Sequence, residues 1–274
     1  MNNEITPQPL SEEPDVCTIM LDDFDQMAHV ATSSVIGSRS SQQDAVKVDY
    51  YSYAEEGRMI AVLCDGMGGL SGGEKASTMC SSIVYDAFHN YDISLGIPQF
   101  YRSAIAYADN QVTRETAGAG TTMVSVVLVD DCLYWASVGD SHLYVIRGEE
   151  IRCVTNEHNY LMLLNQRVKR GEITQEEANS HPKKEALVSY IGAGGVRYID
   201  INERPFKLMD GDRIVLCSDG LYRSCSDEEI RRVVSEHGNN TQLAADGLTE
   251  LALSKKYRNQ DNTTVVVISY ESHR

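Results

Sequence analysis

Residues 61–73, AVLCDGMGGLSGG, carry an apolar run into an aspartate and then through five glycines. A short apolar run bounded by glycine reads as a buried strand, and a charge at its end must be solvated, paired or used. Three structures accommodate this pattern: an Asp-Gly turn, a phosphate-cradling loop between strand and helix, and the acidic lip of a metal site. The loop patterns are not met. A Walker-type loop needs Gly directly before Lys, and Glu74 separates Gly73 from Lys75. Gly66-Met67-Gly68 would need a third glycine where Ser71 stands, and the chain lacks the βαβ rhythm of a doubly wound sheet.

The metal reading gains from recurrence. VLCDG at 62–66 is echoed by VLCSDG at 215–220, and ASVGD at 136–140 again ends an apolar run on an aspartate. Asp261 stands just before the apolar run that closes the chain, and Asp44 just before the second strand. Each aspartate alone is well explained by a turn. As a set they predict carboxylates converging at one edge of a sheet stack, where mutual repulsion raises their pKa values unless cations offset it. Hard cations such as Mg²⁺ or Mn²⁺ take oxygen ligands of this kind. Gly66 would leave its own carbonyl open to a cation, with no side chain in the way.

The formal charge of −16 over 274 residues argues against nucleic acid as a main partner. No apolar run is long enough to span a bilayer, and the N-terminus lacks a signal-peptide pattern. The seven cysteines include no C-x-x-C pair, and several lie in apolar strands, which predicts reduced core thiols in a cytoplasmic protein. A monomer is expected by default.

Residues 1–28 hold seven acids, no Lys or Arg, and three of the six prolines, the composition of a flexible acidic tail. From His29 onward three β-rich runs are expected, at 29–37, 45–53 and 58–65. Two helices follow, carrying apolar stripes from Ala76 to Ala87 and from Tyr101 to Val112. Strands return at 121–129, 132–140 and 142–148 with short turns, as in an antiparallel meander. Residues 159–195 are basic and end in IGAGG, and are expected as an inserted, mobile segment over the sheet. A strand at 213–220, helices near 227–237 and 241–257, and a last strand complete an α+β order. It predicts a four-layer α-β-β-α sandwich, two mainly antiparallel sheets flanked by helices.

RSSQQDA (39–45), DGMGG (65–69), GTT (120–122), GDSHLYVIR (139–147), SDG (218–220) and DNTT (261–264) occur in this order. Together they resemble the successive motifs of the metal-dependent Ser/Thr protein phosphatases, the PPM or type 2C family, in its bacterial form. The resemblance spans about residues 29–270. It implies hydrolysis of phosphoserine and phosphothreonine in proteins by a hydroxide bridging two divalent cations, Mg²⁺ or Mn²⁺. By the same resemblance Asp65 bridges the cations, with the Gly66 carbonyl on the second, and Asp219 and Asp261 ligate the first. Asp44 holds a metal-bound water and Arg39 grips the substrate phosphate. Phosphorylated proteins and a cognate Ser/Thr kinase are the implied partners, and 159–195 falls where the family has a variable flap.

Three positions depart from that pattern. Met67 stands where animal members carry a histidine, and Gln43 where many carry an acid. Arg223 stands where many members have an aspartate that joins the GDS aspartate, here Asp140, at a third metal site. Arginine cannot ligate a cation, so an Arg223–Asp140 salt bridge is expected and the third site is weakened or absent. A pseudophosphatase that kept the fold but lost turnover is the alternative this substitution raises.

Overall fold

A computed structural model describes residues 28–53, 56–68 and 72–272. The expected acidic tail at 1–28 lies outside the described residues apart from Ala28, which is buried at the start of the first strand.

The strands are β1 (Ala28–Val35), β2 (Asp44–Tyr53), β3 (Glu56–Met67), β4 (Gly120–Thr121), β5 (Met123–Val129), β6 (Cys132–Val138), β7 (His142–Arg147), β8 (Glu150–Cys153), β9 (Asp200–Ile201), β10 (Phe206–Lys207), β11 (Arg213–Cys217) and β12 (Thr263–Tyr270). The helices are α1 (Gly72–His89), α2 (Ile97–Glu115), α3 (Tyr160–Lys169), α4 (Gln175–Ser180), α5 (Asp219–Tyr222), α6 (Asp227–Glu236) and α7 (Thr241–Ser254). One sheet is ordered β1-β12-β11-β7-β8. The other runs β10-β6-β5-β3-β2, with β4 beside β3 and β9 beside β6. Every pairing among the described strands is antiparallel.

Strand periodicity generates the layers, because successive side chains point to opposite faces. On β3, Met59, Ala61 and Leu63 face the other sheet and meet Leu216 and Val266. Ile60, Val62 and Cys64 face outward and are covered by Cys80 and Val84 of α1 and Tyr101 and Ile105 of α2. On β12, Val266 and Ile268 point into the intersheet core, while Val265 and Val267 are covered by Leu248 and Ala252 of α7. A strand buried on both faces cannot alternate polar and apolar residues, which is why 59–64 reads as one continuous apolar run. Three cores thus separate four layers, as the element order predicts.

Some element boundaries differ from those expected. β3 does not stop at Asp65: Gly66 and Met67 continue it by pairing with Thr121 and Gly120 of β4, after the pairing with β5 ends at Leu63. α7 ends before 257, with Lys255 as its cap and Lys256 in the left-handed region at φ 53°. The 159–195 segment is tied to β4 and α2 near its C-terminal end and closed on itself at its start. Thr121 bridges Ile191, Asn159 bridges Leu187, and the Gly192 N–H donates to Asp109 on α2 at 2.7 Å.

Candidate active site

Adjacent ends of the two sheets form a cleft of about 670 Å³, with Arg39, Asp65, Gly66, Asp140, Asp219, Arg223 and Asp261 in its lining. Asp44 does not line it. It stands behind Asp65 as that residue's registered partner across β2 and β3.

Asp65 is held through its backbone. Its N–H donates to Thr122 Oγ1 at 3.0 Å, and its carbonyl accepts from the Thr122 N–H and Thr121 Oγ1, both at 2.8 Å. The GTT motif therefore clamps the strand at the point where it changes partner. Gly66 is required by packing rather than by torsion. A Cβ there would lie 2.2 Å from the Gly73 carbonyl oxygen, so the N-terminus of α1 can sit on β3 only over a glycine. The Gln43 carbonyl, accepting from Gly66 N–H at 3.0 Å and Ser77 Oγ at 2.6 Å, ties β2, β3 and α1 together.

Ser218 joins the sheets. Its hydroxyl donates to Asp44 Oδ2 at 2.8 Å and accepts from the Thr264 N–H at 3.0 Å. Asp219 opens α5 directly after it. Asp261 precedes β12, and Arg39 reaches it from the β1–β2 loop, its Nη2 2.5 Å from Oδ2. Arg223 meets three carboxylates: Asp219 at 3.0 Å, Glu185 at 3.1 Å and Asp140 at 3.5 Å. The expected contact with Asp140 is present, and two shorter ones accompany it.

Electrostatics single out the acidic centre. Burial, then repulsion from Asp44, Asp219, Asp140 and Asp261, pushes the Asp65 carboxyl well above the usual range. Burial also raises Asp44 to about 6, although the Thr264 and Ser218 contacts pull it down. Asp219 rises to about 7, again mainly through burial, with Arg223 opposing. Asp44 Oδ1 and Asp219 Oδ1 are both buried without a hydrogen-bond partner. Folding alone gives no reason to gather acids that repel and leave oxygens bare.

The donor set fits divalent cations: Asp65, Asp219 and Asp261 carboxylates in a mainly acidic cleft, with Asp219 Oδ1 buried and bare there and Asp44 Oδ1 bare beside Asp65. Among the described residues no three His, Cys, Asp or Glu side chains are gathered tightly enough to hold a metal as they stand. Arg39 and Arg223 hold oxygens of Asp261 and Asp219 instead.

One positioning residue escaped the sequence reading. Asn262 is buried and accepts from the Gln43 N–H at 2.9 Å, while its Nδ2 donates to the Ile36 and Ser41 carbonyls at 2.9 and 3.1 Å. It fixes the loop that carries Arg39. Its place beside Asp261 in DNTT was the available signal, but partners more than 200 positions away were not readable.

Carboxylates at the open end of a helix-flanked double sheet, with arginines at the rim, are the side-chain types that metal-assisted hydrolases use. The family model described as Protein phosphatase 2C matches residues 33–259. The protein phosphatase PhpP of Streptococcus pneumoniae is 31% identical over 240 residues, covering 84% of this chain and 92% of that protein. A solved Ser/Thr phosphatase from S. agalactiae superposes with a TM-score of 0.74 at 28% identity, covering 89% of this chain and all of that one. The catalytic domain of the Ser/Thr protein phosphatase PstP, solved in complex with two manganese ions, gives 0.67 at 27% identity, covering 89% of this chain and 99% of that one. The chain belongs to the protein phosphatase 2C family and is a Ser/Thr protein phosphatase.

Proposed function

We propose that the cleft hydrolyses phosphoserine and phosphothreonine esters of proteins with two divalent cations, Mg²⁺ or Mn²⁺, held by Asp65, the Gly66 carbonyl, Asp219 and Asp261. The observation that carries this is the buried, mutually repelling carboxylate set with its two bare oxygens. Such cations would supply Lewis acidity toward the phosphate and make water ionisable near neutral pH. Arg39 offers planar, paired donors from the rim and would share them between Asp261 and two phosphate oxygens. Asp44, fixed through Oδ2 by Ser218, keeps Oδ1 to orient a water proton. Met67 lines the cleft and cannot donate a proton, so the leaving oxygen takes its proton from water. The substrates in this reading are phosphorylated proteins, set in balance by a Ser/Thr kinase in the cytoplasm, with the enzyme acting as a monomer.

Arg223, with Nε on Asp219 and Nη2 on Asp140, disfavours a further cation at Asp140, so two cations, not three, are the working complement in this reading. The same arginine favours a second reading, a binding module without turnover, because a guanidinium already stands on a ligand carboxylate. One experiment separates the two: hydrolysis of a phosphothreonine peptide by wild type and Asp65→Asn, with Mn²⁺ and with EDTA. Metal-dependent turnover lost in the variant supports the enzyme. A folded wild type inert toward several peptides with either metal would favour the binding module.

A further inference from the structure

Arg223 caps the short helix α5, and its donors reach three parts of the chain. Nε meets Asp219 within α5, Nη2 meets Asp140 in the β6–β7 turn, and Nη1 donates to Glu185 in the segment between β8 and β9. Its own position is braced, because the neighbouring Tyr222 stacks on His142 of β7 with ring centroids 3.7 Å apart. Burial works against the charge on Arg223, but Asp219, Tyr222 and Asp140 more than offset it. The guanidinium is therefore a permanent cation at this junction.

Glu185, Leu187 and Tyr190 form one wall of the cleft, and the carboxylates form its floor. Behind the wall, the backbone is tied to α3 and the loop before it: Ala186 O accepts from Tyr160 N–H, and Val188 N–H donates to the His158 carbonyl. At the front edge, the ion pair between Arg223 and Glu185 joins wall to floor. The adjacent Lys184 does not compete for Glu185, since its ammonium turns to the Asn179 carbonyl at 3.0 Å.

We propose that Arg223 is a positioning residue that ties the 185–190 wall to the acidic floor through Glu185, and so sets how wide the cleft stands for a phosphoprotein chain. A small phosphate ester reaches the floor without touching the wall, whereas a peptide passes along it. The two substrates should therefore respond differently to the tie. The kinetic half of this inference rests on the phosphatase reading; the structural half stands on the ion pairs alone.

The test is amide hydrogen exchange on the full chain for wild type, Glu185→Gln, Arg223→Gln and the double variant, together with Michaelis constants for a phosphothreonine peptide and p-nitrophenyl phosphate. An exposed ion pair of this kind predicts exchange at Ala186 and Val188 about two- to fivefold faster in Glu185→Gln, with β12 unchanged. The double variant should be no faster than the faster single variant. The peptide KM should rise by a similar factor, and by more than that of p-nitrophenyl phosphate. Unchanged exchange at 186 and 188 in Glu185→Gln overturns the proposal, as does a multiplicative double variant or an equal rise in both KM values. Glu185→Gln alone decides the matter if Arg223→Gln does not fold. Absence of turnover in the wild type would sink the phosphatase reading and leave the exchange ratios to judge the tie.

Discussion

Asp44 and Asp65 are direct cross-strand partners in an antiparallel ladder, two acids facing each other where a sheet would ordinarily place complementary residues. Like charges directly opposite destabilise a strand pair by about 0.2–1 kcal/mol, so the native stability of this chain is compromised where its chemistry lies. Asp65→Asn should therefore raise the unfolding free energy in EDTA by about 0.2–1 kcal/mol, while abolishing phosphopeptide hydrolysis. A variant less stable than wild type in EDTA would show that repulsion is not the dominant effect at this pair.

Gly66→Ala should do the reverse, losing stability and activity together. The added methyl would meet backbone, the Gly73 carbonyl oxygen, rather than a side chain able to rotate away. Overpacking of this kind costs about 1–3 kcal/mol, readable as a fall in urea midpoint at constant m-value. Gly118→Ala is the contrast for contact, since no atom lies within 4 Å of its added Cβ, although its φ of 97° carries strain of its own. The steric account predicts the larger loss at Gly66, and an equal or smaller loss there would refute it.

Asn262→Ala removes the hydrogen bonds that hold the Arg39 loop and leaves the Gln43 N–H without that acceptor. Each hydrogen bond lost at this half-buried junction costs about 0.5–1.5 kcal/mol net. Since the loop carries the residue assigned to grip phosphate, kcat/KM should fall on the order of tenfold or more from misplacement. Activity kept at the wild-type level, with stability lost, would confine Asn262 to a structural role.

Acid should release a tie far from the cleft. Glu229 sits at about 2, below its ordinary 4.5, because the Lys255 ammonium and then the Ser226 N–H favour its charged form. A lowered carboxyl pKa stabilises the fold fully above about 4.5, and the contribution is lost as pH falls through about 2. The Tm difference between wild type and Glu229→Gln should thus stay level from neutral pH down to about 5 and shrink below that. A difference that grows on acidification would reverse the assigned sign.

Periodicity and composition determined the layers and the element order. The unbroken apolar run at 59–64 announces a strand covered on both faces, and the stripes on α1 and α2 announce what covers one of them. These are local properties, set by the two-residue period of a strand and the 3.6-residue period of a helix. The motif set also brought Arg39, Asp65, Gly66, Asp140, Asp219 and Asp261 forward as one group, and they line one cleft. Tertiary structure alone decided how those residues are held: Asp44 paired with Asp65 rather than in the cleft wall, Asn262 under the Arg39 loop, and Glu185 brought to Arg223. The reason is physical. A strand's register and a side chain's distant partners depend on which elements pack together, and each of these contacts joins segments whose local sequence carries no record of the other.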